Sequence, residues 1–118
     1  MLGASRQRDK YGNRAVRAYR AEGWRVYPIN PHADQIEGLP AFSSISAVPG
    51  PVDRVSAYLP PEKLLPLLDE IAAKRVGELF LNPGSESTAV IARAQHLGIP
   101  VILACSIVDI GRSPLRPD

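Results

Sequence analysis

Apolar and polar positions along this chain switch between helical and strand periods. From Asn13 to Gly23, "NRAVRAYRAEG", Ala15, Val16 and Tyr19 recur at helical spacing, and Arg14, Arg17 and Arg20 fall on another face. An amphipathic helix is expected there, with Asn13 as N-cap and Gly23 as its stop. "WRVYPIN", Trp24 to Asn30, alternates and is rich in bulky and β-branched residues, which predicts a strand ending at Asn30-Pro31. His32 to Pro51 reads as a loop, with a helical turn near Ser43 to Val48. A strand from Val52 to Pro60 follows. The apolar run Leu64 to Ala73 predicts a helix whose start, given Pro66, lies near Glu62 to Leu65. Val76 to Asn82 is a further strand. "SESTAVIARAQHLG" places Val90, Ile91, Ala94 and Leu97 on one stripe, with Ser85 as N-cap and Gly98 as stop. Ile99 to Cys105 is a nearly continuous apolar strand.

Strands alternating with helices imply parallel βαβ units. The expected fold class is therefore α/β: a Rossmann-like, open, doubly wound and mainly parallel sheet with helices on both faces. Only Met1 and Leu2 precede Gly3, against a usual strand of about five residues. The first strand is thus expected to be truncated, with the true start upstream. Residues 1–111 are expected to form one domain and 112–118 a flexible tail.

Composition narrows the class. In 118 residues, 45% are hydrophobic and 22% charged, a globular rather than disordered profile. No apolar run reaches the roughly 18 residues of a membrane span, so no membrane association and a cytoplasmic location are expected. A single Cys105 permits no internal disulfide. The net charge of +2 divides unevenly: Arg6, Arg8, Lys10, Arg14, Arg17, Arg20 and Arg25 face only Asp9 and Glu22 in the first 25 residues, and the remainder is net acidic. Nucleic-acid binders spread such charge over a larger surface and interleave it with aromatics. A compact anion is the better fit, and no nucleic-acid partner is expected.

Ligands of doubly wound sheets bind at the carboxyl ends of the strands. Those ends deliver Gly3-Ala4-Ser5, Asn30-Pro31, Tyr58-Leu59-Pro60, Asn82-Pro83-Gly84 and Ala104-Cys105-Ser106. The first loop suits phosphate: Gly3 and Gly12 permit close backbone approach, the amides of Gly12, Asn13 and Arg14 open a helix, and Arg6, Arg8 and Lys10 add charge. It matches neither G-x-G-x-x-G nor G-x-x-x-x-G-K-[ST], and a solvated basic loop is the competing reading. No zinc spacing, paired histidines or nucleophile elbow is present. His96 reads as a surface residue, His32 as an exposed loop residue or a contact to a nucleotide phosphate. Cys105 reads as a core thiol or a thiol on the ligand rim.

The runs "LGAS" and "KYGN", then "GWRVYPINP", "VDRVSAYLPP", "ELFLNPGSES" and "LGIPVILACSIVDIG", resemble the small single-domain CoA-binding proteins. These are relatives of the CoA-binding domain in the α subunit of succinyl-CoA synthetase, and the resemblance runs from Met1 to Gly111. It implies a domain of the NAD(P)-binding fold type whose ligand is coenzyme A or an acyl-CoA, usually without a reaction of its own. By the same resemblance, Gly3, Ala4, Ser5, Lys10, Tyr11, Gly12 and Asn13 would contact the pyrophosphate and the start of the pantetheine arm. Asn30 and Pro31 would sit at the adenosine end. Tyr58, Leu59 and Pro60 would form an apolar wall, and Asn82, Pro83 and Gly84 would line the pantetheine path. The alternative is an enzyme using a nucleotide cofactor in the same cleft, such as an NAD(P) reductase or an acyl-CoA-converting enzyme. A homodimer or a partner enzyme subunit is the expected association.

Overall fold

The first helix begins earlier than its local signals suggest. In the computed structural model, which describes every residue from Met1 to Asp118, α1 spans Tyr11–Ala21 with Lys10 as N-cap. Asn13 is a helical residue, wholly buried, rather than the cap its propensity suggested. The cause is tertiary: its side chain donates to Ser5 O and Glu37 Oε2 and accepts from Arg17 Nε, so its amide is more useful inside than at the end. Ala15, Val16, Ala18 and Tyr19 form the buried stripe, and Gly23, at φ +86°, turns the chain out of the helix.

Of residues 24–30 only Ile29 makes ladder bridges, to Leu2 and to Phe42. Pro28 has no N–H to give, and the neighbouring strand offers little to pair with. The expected strand is in this sense reduced to one bridged residue. The following loop contains a hairpin that the sequence reading missed, β1 (Gln35–Ile36) and β2 (Leu39–Pro40). Glu37 and Gly38 both adopt positive φ at its tip, the geometry of tight hairpin turns. A short 3-10 turn at Ile45–Ala47 lies where one was expected.

The second half follows the expected alternation with shifted boundaries. After β3 (Arg54–Ala57), Pro60 and Pro61 start α2 (Pro61–Leu64). Pro66 then forces a 3-10 turn at Leu65–Leu67 before α3 (Leu68–Lys74), so the single expected helix is broken in two. β4 (Glu78–Leu81) leads to α4 (Thr88–His96), capped by Ser87, whose Oγ accepts from Val90 N at 3.1 Å. Ser85, the expected cap, is buried and donates instead to Ala57 O. β5 (Val101–Leu103) ends before Cys105, and a short α5 (Ser106–Asp109) follows that had not been expected.

Leu2 joins these pieces into one sheet. It bridges Ile29 on one side and Ala57 on the other, both in parallel. β3 pairs with β4 and β4 with β5, again in parallel, giving the spatial order Phe42, Ile29, Leu2, β3, β4, β5. This is the expected open α/β sheet, with a first strand reduced to a stub. One face packs Val55, Ala57, Leu79 and Leu81 against Leu64, Leu68, Ile71, Val90 and Ala94. The other face lies under α1 and α5, where Ala15 and Ala18 meet Ile107. Ser56 of β3, Phe80 of β4 and Asn82 just after β4 point toward that second layer.

Residues 112–118, expected as a tail, lie along α1. Arg112 Nε donates to Glu22 at 2.7 Å, Arg14 to Pro114 O at 3.3 Å and Arg17 to Asp118 at 2.9 Å, and Pro117 is buried.

Candidate functional site

The strand order reverses beside Leu2: the chain moves from Leu2 to Ile29 on one side, then returns to β3 on the other. A crevice at the carboxyl ends of the strands is the geometric consequence of such a reversal. Here it is a cleft of about 770 Å³. Its floor depends on two glycines. Gly3 has φ +76°, and a Cβ there would lie 2.7 Å from Tyr58 O. A Cβ on Gly12 would collide with Gly3 O, so α1 approaches the end of the first strand more closely than any side chain allows.

The first-loop residues Gly3, Ala4, Ser5, Lys10, Tyr11 and Gly12 line the cleft. So do Asn30 and Pro31, then Tyr58, Leu59 and Pro60, and across from them Pro83 and Gly84. Asn13 and Asn82 do not line it. The Asn13 side chain is spent on Ser5, Glu37 and Arg17. The Asn82 amide donates to Ser56 Oγ at 2.9 Å and Ala57 O at 2.8 Å, while its Oδ1 accepts from Ser106 N at 2.8 Å. Asn82 thus ties the ends of β3 and β4 to the start of α5. Ser56 and Ser106 share a hydrogen bond of 2.6 Å in the same network, and Tyr58 OH reaches Ser106 Oγ at 3.2 Å. Burial pushes the Tyr58 phenol up to about 12, so it stays protonated and its ring serves as a neutral wall.

The electrostatics of the first loop differ from expectation. Asn13 N and Arg14 N both donate to Lys10 O, which leaves the Tyr11 and Gly12 amides as the helix donors without an acceptor in the chain. Of the three loop cations only Lys10 lines the cleft. Arg8 lies near Glu37 and Asp118, at 3.7 and 3.8 Å, and Arg6 is exposed away from the cleft lining.

Several lining residues were not expected: Ser43, Ser44 and Ile45 from the loop, and Lys63, Leu67, Glu70 and Ile71 from the segment after β3. Their common signal is position: the loop and the α2–α3 segment close over the crevice from the Ile29 and β3 strands. Glu70 accepts from Ser46 N at 2.9 Å, and that backbone hydrogen bond holds its carboxyl below the ordinary value despite partial burial. It also fixes the loop to α3. Asn30 plays a similar part, donating to Ala4 O at 3.0 Å and accepting from His32 N at 2.8 Å. His32 lines the cleft, whereas His96 and Cys105 do not. Cys105 packs with Ala15, Ala18, Tyr58 and Ile107 in the α1–α5 layer. No group of three or more His, Cys, Asp or Glu side chains is placed to hold a metal, and no helix is long and apolar enough to cross a membrane.

Comparison with known proteins gives consistent matches. A family model described as a CoA binding domain matches residues 1–111. "Uncharacterized protein YneT" of Bacillus subtilis is 29% identical over 103 residues, which cover 87% of this chain and 76% of that protein. The ADP-forming acetate–CoA ligase II subunit alpha of Pyrococcus furiosus is 28% identical over 90 residues, 75% of this chain but only 20% of the subunit. Among solved structures, a "conserved hypothetical protein" from Pyrococcus furiosus superposes with a TM-score of 0.84 at 30% identity, covering 92% of this chain and 94% of its own.

Proposed function

The chain belongs to the family of CoA-binding domains, and from that premise we propose that its switch-point cleft binds coenzyme A or an acyl-CoA, as a binding module without a reaction of its own. The observation that carries this reading is the junction of Gly3 with α1. There a glycine turn, two unpartnered amides at Tyr11 and Gly12, and Lys10 meet in the lining of a cleft of about 770 Å³.

The chemistry follows from the residues. Helix amides and Lys10 neutralise a pyrophosphate, the first through fixed dipoles and the second as a mobile charge. Asn30 and Pro31, with the serines at 43 and 44, border the adenosine end. The Tyr58 ring, Leu59 and Pro60 give an apolar wall, and Pro83 and Gly84 line the path of the pantetheine arm. Asn82 supports this path from behind rather than touching the ligand, and Asn13 does the same for the phosphate loop.

A relative in which such a domain is one fifth of an ADP-forming acetate–CoA ligase subunit suggests the setting. In this reading the chain presents CoA to a separate enzyme subunit, or senses its acylation state. Of the rival enzymes in the same cleft, an NAD(P) reductase predicts a different ligand preference, and an acyl-CoA-converting enzyme predicts turnover of a bound acyl-CoA. Calorimetry with CoA, dephospho-CoA, NAD and ATP separates the module from the reductase. Tightest binding of CoA supports the module; tightest binding of NAD replaces it with the enzyme; no heat with any of the four removes both.

A further inference from the structure

Most cationic side chains of this chain are committed within the fold. The arginines of α1, Arg14, Arg17 and Arg20, all donate to other groups of the chain. Lys10 and Lys63 differ: both are exposed, and neither side chain has a hydrogen bond or ion pair. They are also the only lysine or arginine side chains in the lining of the strand-end cleft.

The two reach the cleft from opposite layers. Lys10 is the N-cap of α1, which covers one face of the sheet together with α5. Lys63 lies in α2 beside Leu64, which packs on the other face. The strands that lead into these helices are neighbours, since Leu2 bridges Ala57 in parallel. Crossovers that leave adjacent parallel strands for opposite faces open a crevice between them, so the two lysines stand on either side of it.

Position along the cleft selects the ligand atoms. Lys63 N donates to Pro60 O at 3.0 Å, and the Tyr58-Leu59 stretch just before lies against the Gly3 turn. A Cβ on Gly3 would be 2.7 Å from Tyr58 O and 3.3 Å from Leu59 Cδ2. α2 therefore starts beside the turn that leads to the unpartnered Tyr11 and Gly12 amides. Farther along the same wall come Leu67 and then Glu70, which accepts from Ser46 N in the loop that carries Ser43 and Ser44. Glu70 is the only carboxylate in the lining, so this wall has its cation at the Gly3 end and its anion at the loop end.

We propose that Lys63 is the second cation of a diphosphate clamp. Lys10 and the Tyr11 and Gly12 amides hold the diphosphate from the α1 layer, and Lys63 closes on it from the α2 layer. The assignment rests on the CoA reading of the cleft and adds which phosphates the α2 wall meets: the diphosphate, not the 3′-phosphate of the ribose. A diphosphate offers one charge to each ammonium, and Pro60 and Pro61 fix the start of the helix from which Lys63 reaches.

Calorimetry on the parent, Lys63→Ala, Lys63→Arg and Arg6→Ala tests this, each with CoA, dephospho-CoA and inorganic pyrophosphate. Lys63→Ala is expected to weaken all three about tenfold, with the same factor for CoA and dephospho-CoA. Lys63→Arg should restore most of the loss. Arg6→Ala removes an exposed charge outside the lining and should change little at physiological salt. Unchanged CoA affinity in Lys63→Ala would overturn the clamp and leave the CoA reading standing. A loss for CoA without one for dephospho-CoA would also overturn it, by moving Lys63 to the 3′-phosphate. Equal losses in Arg6→Ala and Lys63→Ala would overturn it too, by reducing the effect to net charge. A parent that binds pyrophosphate through Lys63 but neither CoA nor dephospho-CoA would uphold the clamp and remove the CoA reading, and a parent that binds none of the three removes both.

Discussion

The carbonyl oxygen of Gly3 occupies the space that a Cβ on Gly12 would need. One contact therefore fixes both the packing of α1 on the sheet and the depth of the phosphate end of the cleft. Gly12→Ala is expected to lower stability by about 2 kcal/mol or more, because backbone has to move to relieve the overlap. Urea unfolding measures this. A variant as stable as the parent would show that the approach of α1 is looser than described.

Lys10→Ala should act on the ligand alone. The side chain is exposed and lines the cleft without a hydrogen bond or ion pair in the chain. CoA affinity is expected to fall about tenfold, roughly 1.4 kcal/mol, with the unfolding midpoint unchanged. Because exposed charge is screened, the difference from the parent should shrink as salt rises. Equal affinities at low salt would remove Lys10 from the site.

Asn82→Ala tests the supporting network. It removes the donors to Ser56 Oγ and Ala57 O and strips Ser106 N of its acceptor, all in the interior. Ser56 Oγ keeps Ser106 Oγ and Ala57 O keeps Ser85 Oγ, but Ser106 N is left unpaired in the interior. That costs about 1–3 kcal/mol, so stability should fall by about 2 kcal/mol. A change below about 0.5 kcal/mol in chemical denaturation would mean that the surroundings reorganise to replace these bonds.

Stability of the chain that begins at Met1 should rise with pH between about 5 and 8. Burial holds the folded amine at about 5, below the 8.0 of an ordinary α-amine. Within that window the unfolded chain binds a proton that the folded chain lacks, so unfolding is favoured at the acid end and the penalty vanishes above 8. The change is on the order of 3 kcal/mol. Arg25, Asp53 and Arg54, which line a cavity beside Met1, are common to a chain whose Met1 nitrogen is acetylated, so subtracting its pH curve isolates the amine. Superimposable curves would contradict the buried ammonium.

The alternation of elements, the parallel sheet and the crevice at strand ends were legible because periodicity and glycine placement are local signals. What was not legible came from tertiary demand. Asn13 looked like a cap, yet the close approach of Gly12 to Gly3 draws Lys10 into that role and leaves Asn13 buried. Ser85 looked like a cap as well, but its hydroxyl joins the Asn82 amide in donating to the Ala57 carbonyl. The Glu37-Gly38 hairpin was hidden because Glu rarely takes positive φ. Among site residues, Asn82 carried the right strand-end position but the wrong facing, since alternate residues of a strand point to opposite layers. Ser43, Lys63 and Glu70 were missed because a crevice gathers walls from segments far apart in sequence.

The central claim is that CoA lies across the carboxyl ends of the strands with its pyrophosphate on the first turn of α1. Titration of the isotopically labelled protein with CoA, followed by amide chemical shifts, tests it most directly. The account predicts saturable shifts largest at Gly3, Tyr11 and Gly12, extending to Leu59 and Gly84, with Val26, Asp53 and Arg54, which do not line the cleft, undisturbed. No saturable shifts, or shifts centred on Val26, Asp53 and Arg54, would contradict it.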